Sequence, residues 1–242
     1  MTGTLILIRH GQSQANAEGL FTGLRDAPLT DLGRAEADHA AALLAAADLH
    51  PGAWFCSPLR RAVQTAEIIA SHQSVPDVGI ESDWRLAERN YGALTGRRKA
   101  DVRAEYGESQ YLAWRRSVHI APPPMTASQF APLGAVPSWL GLTEALEDVI
   151  TRVDAVWRER IRPRLLHGDD VLVVAHGNSL RALCAVLDSL DEDAIEDLNI
   201  PTAQPLLYSL GDDERPRRAG GEYLDPVTAF AAAAVIASEG GT

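Results

Sequence analysis

Leu5-Ile6-Leu7-Ile8 and Val171-Leu172-Val173-Val174-Ala175 are continuous apolar runs, and each ends at a histidine followed by glycine: His10-Gly11, after Arg9, and His176-Gly177. Uninterrupted apolar runs of this length read as strands buried on both faces. In open α/β sheets ligands bind beyond the carboxyl ends of the strands, where helices present free amide N–H groups. Both histidines are therefore expected at one crevice. A third run, Ala53-Trp54-Phe55-Cys56, is followed by Ser57-Pro58 and then Arg61, which brings a second guanidinium toward the same edge as Arg9. Two arginines, two histidines and helix N-termini make a phosphate site, because a phosphate dianion accepts bidentate, charge-assisted hydrogen bonds worth about 1.5 to 3 kcal/mol each. The neighbouring arginine charges disfavour an imidazolium, so His10 is expected neutral and nucleophilic. His39, His50, His72, His119 and His167 lack a strand-end context and are assigned to surface or packing roles.

The elements that must position these groups alternate between strand and helix, which predicts a mainly parallel sheet covered by helices on both faces. Thr30 can cap a helix from Asp31 to about Ala47, and Ser57 is expected to cap another, with Pro58 at its first position, running to about Ala70. Helical patterns follow at Arg97 to Tyr106, Tyr111 to Arg116 and Glu144 to Ile161; after the second histidine strand come a helix from about Ser179 to Leu190 and a last strand near Leu206 to Leu210. Ser117 to Thr143 carries no formal charge and five prolines, and is read as an irregular excursion at 117–143. The tail from about Gly211 ends in an Ala-rich stretch, read either as a helix packing back on the body or as a mobile flap. No repeat or linker divides the chain, so a single domain over 1–242 is expected.

With 22 basic and 33 acidic residues the formal charge is -11, which argues against a nucleic-acid or anionic-membrane surface; an anion must be held in a local basic pocket. The longest apolar run, Ala229 to Ala237, falls far short of the ~20 residues that span a bilayer, and a cytoplasmic location is expected. Cys56 and Cys184 have no Cys or His at metal-ligand spacing and are expected to be buried free thiols, with no metal site. Of the 22 basic residues only Lys99 is lysine. A lone lysine among arginines suggests a place where a compact ammonium fits and a planar guanidinium does not.

At these residues the chain resembles the histidine phosphatase superfamily, and within it the 2,3-bisphosphoglycerate-dependent phosphoglycerate mutases. Arg9-His10-Gly11, with Ser13, Asn16 and Phe21-Thr22-Gly23, is similar to the opening signature, and Ser57-Pro58-Leu59-Arg60-Arg61-Ala62 to the second phosphate-arginine segment. Glu88-Arg89, Tyr91-Gly92-Ala93-Leu94, Lys99, Trp114-Arg115-Arg116, Ala175-His176-Gly177-Asn178-Ser179-Leu180-Arg181 and Asn199-Ile200-Pro201-Thr202 resemble the mutase branch in particular. The chain departs from that pattern at Gln12, Ala15, Leu24, Ala87, Asn90 and Ala203, none of which is a proposed catalytic group.

The resemblance implies a phosphoglycerate mutase-like α/β architecture. It also implies interconversion of 3-phosphoglycerate and 2-phosphoglycerate through a phosphohistidine on His10 and a 2,3-bisphosphoglycerate intermediate, which also serves as primer, with no metal. Arg9, Arg61 and His176 would hold the transferring phosphoryl group, and Glu88 would exchange a proton with the substrate hydroxyl. Asn16 and the amide of Gly177 would add donors, with Ser13 and Asn178 among the substrate-binding positions. Tyr91, Lys99, Arg115 and Arg116 would take the carboxylate and the distal phosphate, with Thr22 and Gly23 lining the wall. The expected partner is a small phospho-acid rather than a nucleic acid or a membrane, and members of the family often form homodimers or homotetramers. The alternative reading is a metal-independent histidine phosphatase that hydrolyses a small phosphomonoester.

Overall fold

The structure is a computed structural model that describes residues 2–73, 79–134, 136–211 and 213–241. Its elements in chain order are β1 (Thr4–Arg9), α1 (Gln14–Ala17), α2 (Asp31–Ala46), β2 (Ala53–Cys56), α3 (Arg60–Ser71), β3 (Ile80–Ser82), α4 (Lys99–Tyr106), α5 (Glu108–Arg116), α6 (Ala127–Phe130), α7 (Leu146–Val156), α8 (Arg162–His167), β4 (Val171–Ala175), α9 (Gly177–Asp188), α10 (Glu192–Asp197), β5 (Leu206–Ser209), β6 (Glu222–Tyr223) and α11 (Pro226–Ser238). The strands form one mixed sheet in the order β3-β2-β4-β1-β5-β6. β3, β2, β4 and β1 run parallel, and β5 lies antiparallel to both β1 and β6.

Strand side chains point alternately to opposite faces, and the apolar runs supply both faces at once. Leu5, Leu7, Val171 and Val173 pack with Leu146, Val149, Leu180 and Leu183 of α7 and α9. Ile6, Ile8, Leu172 and Val174 pack with Ala40, Leu44, Ala66 and Ile69 of α2 and α3. Full burial of each such side chain contributes roughly 1.5 to 3 kcal/mol, which is why these strands tolerate no polar interruption.

Register does the rest. Arg9 pairs with Ala175 across β1 and β4, so the next residue on each strand, His10 and His176, emerges at the same carboxyl edge. Cys56 pairs with Val174, which brings Ser57 to that edge as well. Close approach of the chain behind His10 depends on glycine: a Cβ on Gly11 would lie 2.1 Å from the Gly33 carbonyl oxygen of α2.

Several expectations are corrected. Ser57 does not cap α3, which begins at Arg60 with Leu59 in the capping position and no side-chain cap bond. The Ser57 hydroxyl is committed instead to His176. α9 starts at Gly177, directly after the histidine, rather than near Ser179. The helix expected over Glu144 to Ile161 begins at Leu146 and continues through a π-turn at Trp157–Ile161 into α8. Pro163 falls at the start of α8, directly after the π-turn, where the regular helical hydrogen-bond pattern is already interrupted. α10 and β6 had no counterpart in the sequence reading. Among its described residues the 117–143 excursion is irregular apart from α6 and a single 3₁₀ turn, and it is anchored by buried Val118, Met125 and Leu140. Of the two readings of the tail, the packed helix is the one realised, since the Glu239 carbonyl at the end of α11 accepts from Arg115 Nη1 at 2.8 Å. Val227, Phe230 and Val235 of α11 remain exposed. Cys56 and Cys184 are buried free thiols, and burial pushes both above the usual thiol range, Cys184 to about 12.

Candidate active site

His10 and His176 lie edge to face with ring centroids 4.9 Å apart, both almost fully buried. His10 Nδ1 is 2.7 Å from the Gly11 carbonyl oxygen, and a carbonyl can only accept, so Nδ1 carries the proton. Its Nε2 accepts from Arg61 Nε at 3.2 Å, which a protonated Nε2 could not do. The tautomer is thereby set by two bonds, and the Nε2 lone pair faces the arginines. Burial, then Arg61 and Arg9, hold the His10 pKa well below the ordinary imidazole value. His176 is depressed in the same way, by burial first and Arg61 next. Its Nε2 is 2.7 Å from Ser57 Oγ, and its Nδ1 is buried without a partner.

Arg61 is aimed by the chain around it. Nη1 donates to the Arg25 carbonyl at 2.8 Å and Nη2 to the Gly23 carbonyl at 3.0 Å, which leaves Nε for His10. Gly23 sits at φ +50, a left-handed conformation that suits glycine. Arg9 Nη1 donates to the Ile200 carbonyl at 2.8 Å, while its Nε is buried without a partner. Burial lowers Arg9, and lowers Arg61 to about 10, so Arg61 stays charged near neutrality.

The cleft in front of this pair is lined by Arg9, Asn16, Thr22, Gly23, Glu88, Tyr91, Lys99, Arg115 and Asn178, with Leu20 and Phe21. Asn178 Nδ2 donates to Glu88 Oε1 at 3.1 Å and to the Tyr91 hydroxyl at 3.0 Å, tying the start of α9 to the loop that carries the carboxylate. Arg115 is buried, donates to the Tyr111 hydroxyl and keeps its Nε without a partner. Lys99, the first residue of α4, is partly buried and points at the same space; burial, then Arg115 and Arg9, bring its pKa down to about 7.

Two expected substrate-binding residues face elsewhere. Arg116 is turned to Asn199 Oδ1 at 3.0 Å and the Leu198 carbonyl at 3.3 Å. Ser13 is fully buried and caps α1, its hydroxyl donating to Asn16 Oδ1 at 2.8 Å, so it orients Asn16. Gly177 opens α9 directly behind His176. Gln12 turns its side chain to Thr30 Oγ1 at 2.9 Å. His39, His50, His72, His119 and His167 are all exposed, as their contexts implied. Sequence reasoning missed four participants: Ser57 as the partner of His176, Glu36 against the Gln12 amide at 2.6 Å, and the buried pair Glu144 and Arg152 behind the Glu88 loop. A capping pattern had absorbed Ser57. Glu36 sits in an ordinary position of α2 and Glu144 just ahead of α7, and neither carries a local signal.

A neutral imidazole whose Nε2 lone pair is held by Arg61 Nε, with a carboxylate, Glu88, close to both guanidiniums, is built to take a phosphoryl group and pass it on. The buried nitrogens without partners on Arg9, Arg115 and His176 fit a polyanion that would satisfy them. The fold and the site thus define a histidine-based phosphoryl-transfer protein.

The chain belongs to the histidine phosphatase superfamily (branch 1), whose profile matches residues 5–216. A 2,3-bisphosphoglycerate-dependent phosphoglycerate mutase of Rhodococcus jostii is 45% identical over 99% of this chain and 98% of its own length. That of Thermobifida fusca is 46% identical over 98% and 99%. Among solved structures, a mycobacterial glucosyl-3-phosphoglycerate phosphatase in complex with VO3 superposes with a TM-score of 0.69 at 27% identity, covering 89% of this chain and 96% of that one. Among the described residues no helix is long and apolar enough to cross a membrane.

Proposed function

We infer that the protein is an isomerase that interconverts 3-phosphoglycerate and 2-phosphoglycerate, by phosphoryl transfer of the 2,3-bisphosphoglycerate-dependent mutase type. The observation that carries the reading is similarity at about 45% identity over nearly the whole length of relatives with that activity in their names. The cleft brings together the groups this chemistry needs: Arg9, Glu88, Lys99 and Arg115 line it, and Arg61 links its Gly23 wall to His10 Nε2.

In the proposed sequence, a phosphoryl group on His10 Nε2 passes to the free hydroxyl of 3-phosphoglycerate. The Nε2–P bond breaks as the new P–O bond forms, and Glu88 takes the hydroxyl proton. The bisphosphate then turns within the cleft and presents its other phosphoryl group to His10. Nε2 attacks that phosphorus, the P–O bond breaks, and Glu88 returns its proton to the departing oxygen. Arg9, Arg61 and His176 stabilise the equatorial oxygens of the transferring group, while Lys99, Arg115 and Tyr91 hold the far end. The positive field comes from side chains already in place, with no reorganisation at the moment of transfer.

The alternative, hydrolysis of a small phosphomonoester, is favoured by the structural likeness to the mycobacterial phosphatase, at a far lower identity of 27%. A phosphorus NMR time course with 3-phosphoglycerate, with and without a 2,3-bisphosphoglycerate primer, separates the two. Primer-stimulated appearance of 2-phosphoglycerate ahead of inorganic phosphate is expected. Inorganic phosphate without 2-phosphoglycerate would replace the mutase reading with the phosphatase.

A further inference from the structure

The loop that carries Glu88 has open space on two sides. The substrate cleft lies on one side, and on the other is a cavity lined by Arg85, Trp139, Gly141, Thr143, Glu144 and Arg152. Across that second side runs a buried ion pair. Arg152 of α7 meets Glu144 at 2.8 Å from Nε to Oε1 and at 3.1 Å from Nη2 to Oε2, with both side chains 6% exposed. The rest of each group is spent on the loop. Arg152 Nη1 donates to the carbonyls of Arg85 and Ala87, both at 2.8 Å, and Nη2 to the carbonyl of Glu88 itself at 3.2 Å. Glu144 Oε2 accepts the Asn90 amide at 2.8 Å, and the Glu144 carbonyl accepts Arg89 Nε at 2.8 Å. Residues 85 to 90 are thereby held from behind at nearly every position, by groups that do not line the cleft.

We propose that the Glu144–Arg152 pair is the positioning element for proton transfer by Glu88, fixing its carboxylate against the leaving oxygen while taking no part in the transfer of phosphorus to His10. A buried ion pair is weak evidence of a contribution to stability, because desolvation offsets its attraction. What distinguishes this one is the use of its remaining donors and acceptors on a single catalytic loop. Only a forked guanidinium can reach three carbonyls and a carboxylate together.

The inference rests on the mutase reading in assigning the proton to Glu88, and its test uses the leaving group to separate the roles. When His10 Nε2 attacks 2,3-bisphosphoglycerate, the P–O bond breaks to an alkoxide that must take the Glu88 proton. When it attacks p-nitrophenyl phosphate, nitrophenolate leaves as a stable anion and needs no proton. Rapid-quench phosphorylation by the bisphosphate and the stopped-flow nitrophenolate burst measure the same Nε2–P bond formation with and without that requirement.

In Arg152→Met, phosphorylation by the bisphosphate is expected to fall about 100-fold, the usual scale for a mispositioned acid, and the burst rate by less than about threefold. The double variant Glu144→Gln/Arg152→Met removes both charges of the pair together and is expected to show the same selective loss in a folded protein. Glu88→Gln supplies the reference pattern. An equal loss on both donors in the double variant, or no loss on either, overturns the proposal. Failure of the mutase reading looks different: the wild-type protein then makes no 2,3-bisphosphoglycerate-primed 2-phosphoglycerate, whatever the variants do.

Discussion

Lys99 gives the sharpest quantitative expectation, because its charge is in balance near physiological pH. Burial, together with Arg115 and Arg9, brings it to about 7, so about a quarter of the free protein carries a neutral amine at that residue at pH 6.5, and nearly all of it does at pH 8.5. A bound anion reverses the cause. One unit of negative charge at about 4 Å is worth roughly 4 kcal/mol at an effective dielectric near 20, or about three pKa units, enough to return Lys99 to its ordinary range. Binding of 2,3-bisphosphoglycerate should therefore take up about 0.8 proton at pH 7.5. Affinity should weaken about 25-fold between pH 6.5 and 8.5, about 1.9 kcal/mol. The histidines do not blur this window, since His10 and His176 are both held well below it. The assay is titration calorimetry on a His10→Ala background, where no phosphoryl transfer interferes, in two buffers of different ionisation heat. Lys99→Met should abolish the uptake and flatten the profile. Lys99→Arg should also flatten it and, with His10 intact, should slow turnover on 3-phosphoglycerate by misplacing the substrate. Zero uptake in the parent, or equal uptake in Lys99→Met, would show that Lys99 does not meet the ligand.

Label transferred from 2,3-bisphosphoglycerate should be acid-labile, alkali-stable and absent in His10→Ala; label surviving in that variant would move the carrier elsewhere. Ser57→Ala strips His176 Nε2 of its partner and should cost about 1 to 3 kcal/mol of stability, with phosphoryl transfer slowed at least tenfold, both read from urea melts and single-turnover rates. Because the folded pKa values of His10 and His176 lie below the unfolded value of about 6.5, the unfolded chain binds more protons in acid. Stability should thus fall as pH drops below 6.5, by up to about 1.4 kcal/mol per pH unit for each group. Denaturation midpoints that stay level from pH 7 to 5 would contradict that burial. Activity should persist in EDTA and be inhibited by vanadate, which mimics the five-coordinate phosphoryl species between His10 and the arginines; a loss restored by a divalent ion would point to other chemistry.

The strands, and the meeting of His10, His176 and the Arg61 helix at one sheet edge, were legible in the sequence because both depend on local pattern. Leu5 to Ile8 and Val171 to Ala175 can be buried only on both faces, and a strand buried that way delivers whatever follows it to the sheet edge. Hence His10, His176 and the helix carrying Arg61 could be placed together from spacing alone, and Thr30 at the start of α2 from its side chain. Tertiary structure decided how each group is held. The His10 tautomer depends on Arg61, fifty-one positions away in the chain, and His176 depends on Ser57, a hundred and nineteen away. Arg115 and Arg116 are adjacent on one helix and identical in local signal, yet one faces the cleft and the other Asn199, since successive helical residues point about 100° apart. The brace behind Glu88 was invisible for the same reason. Glu144 and Arg152 look like an ordinary pair on an amphipathic helix, and only the packing of α7 against the 85–90 loop turns their remaining hydrogen bonds toward the active site.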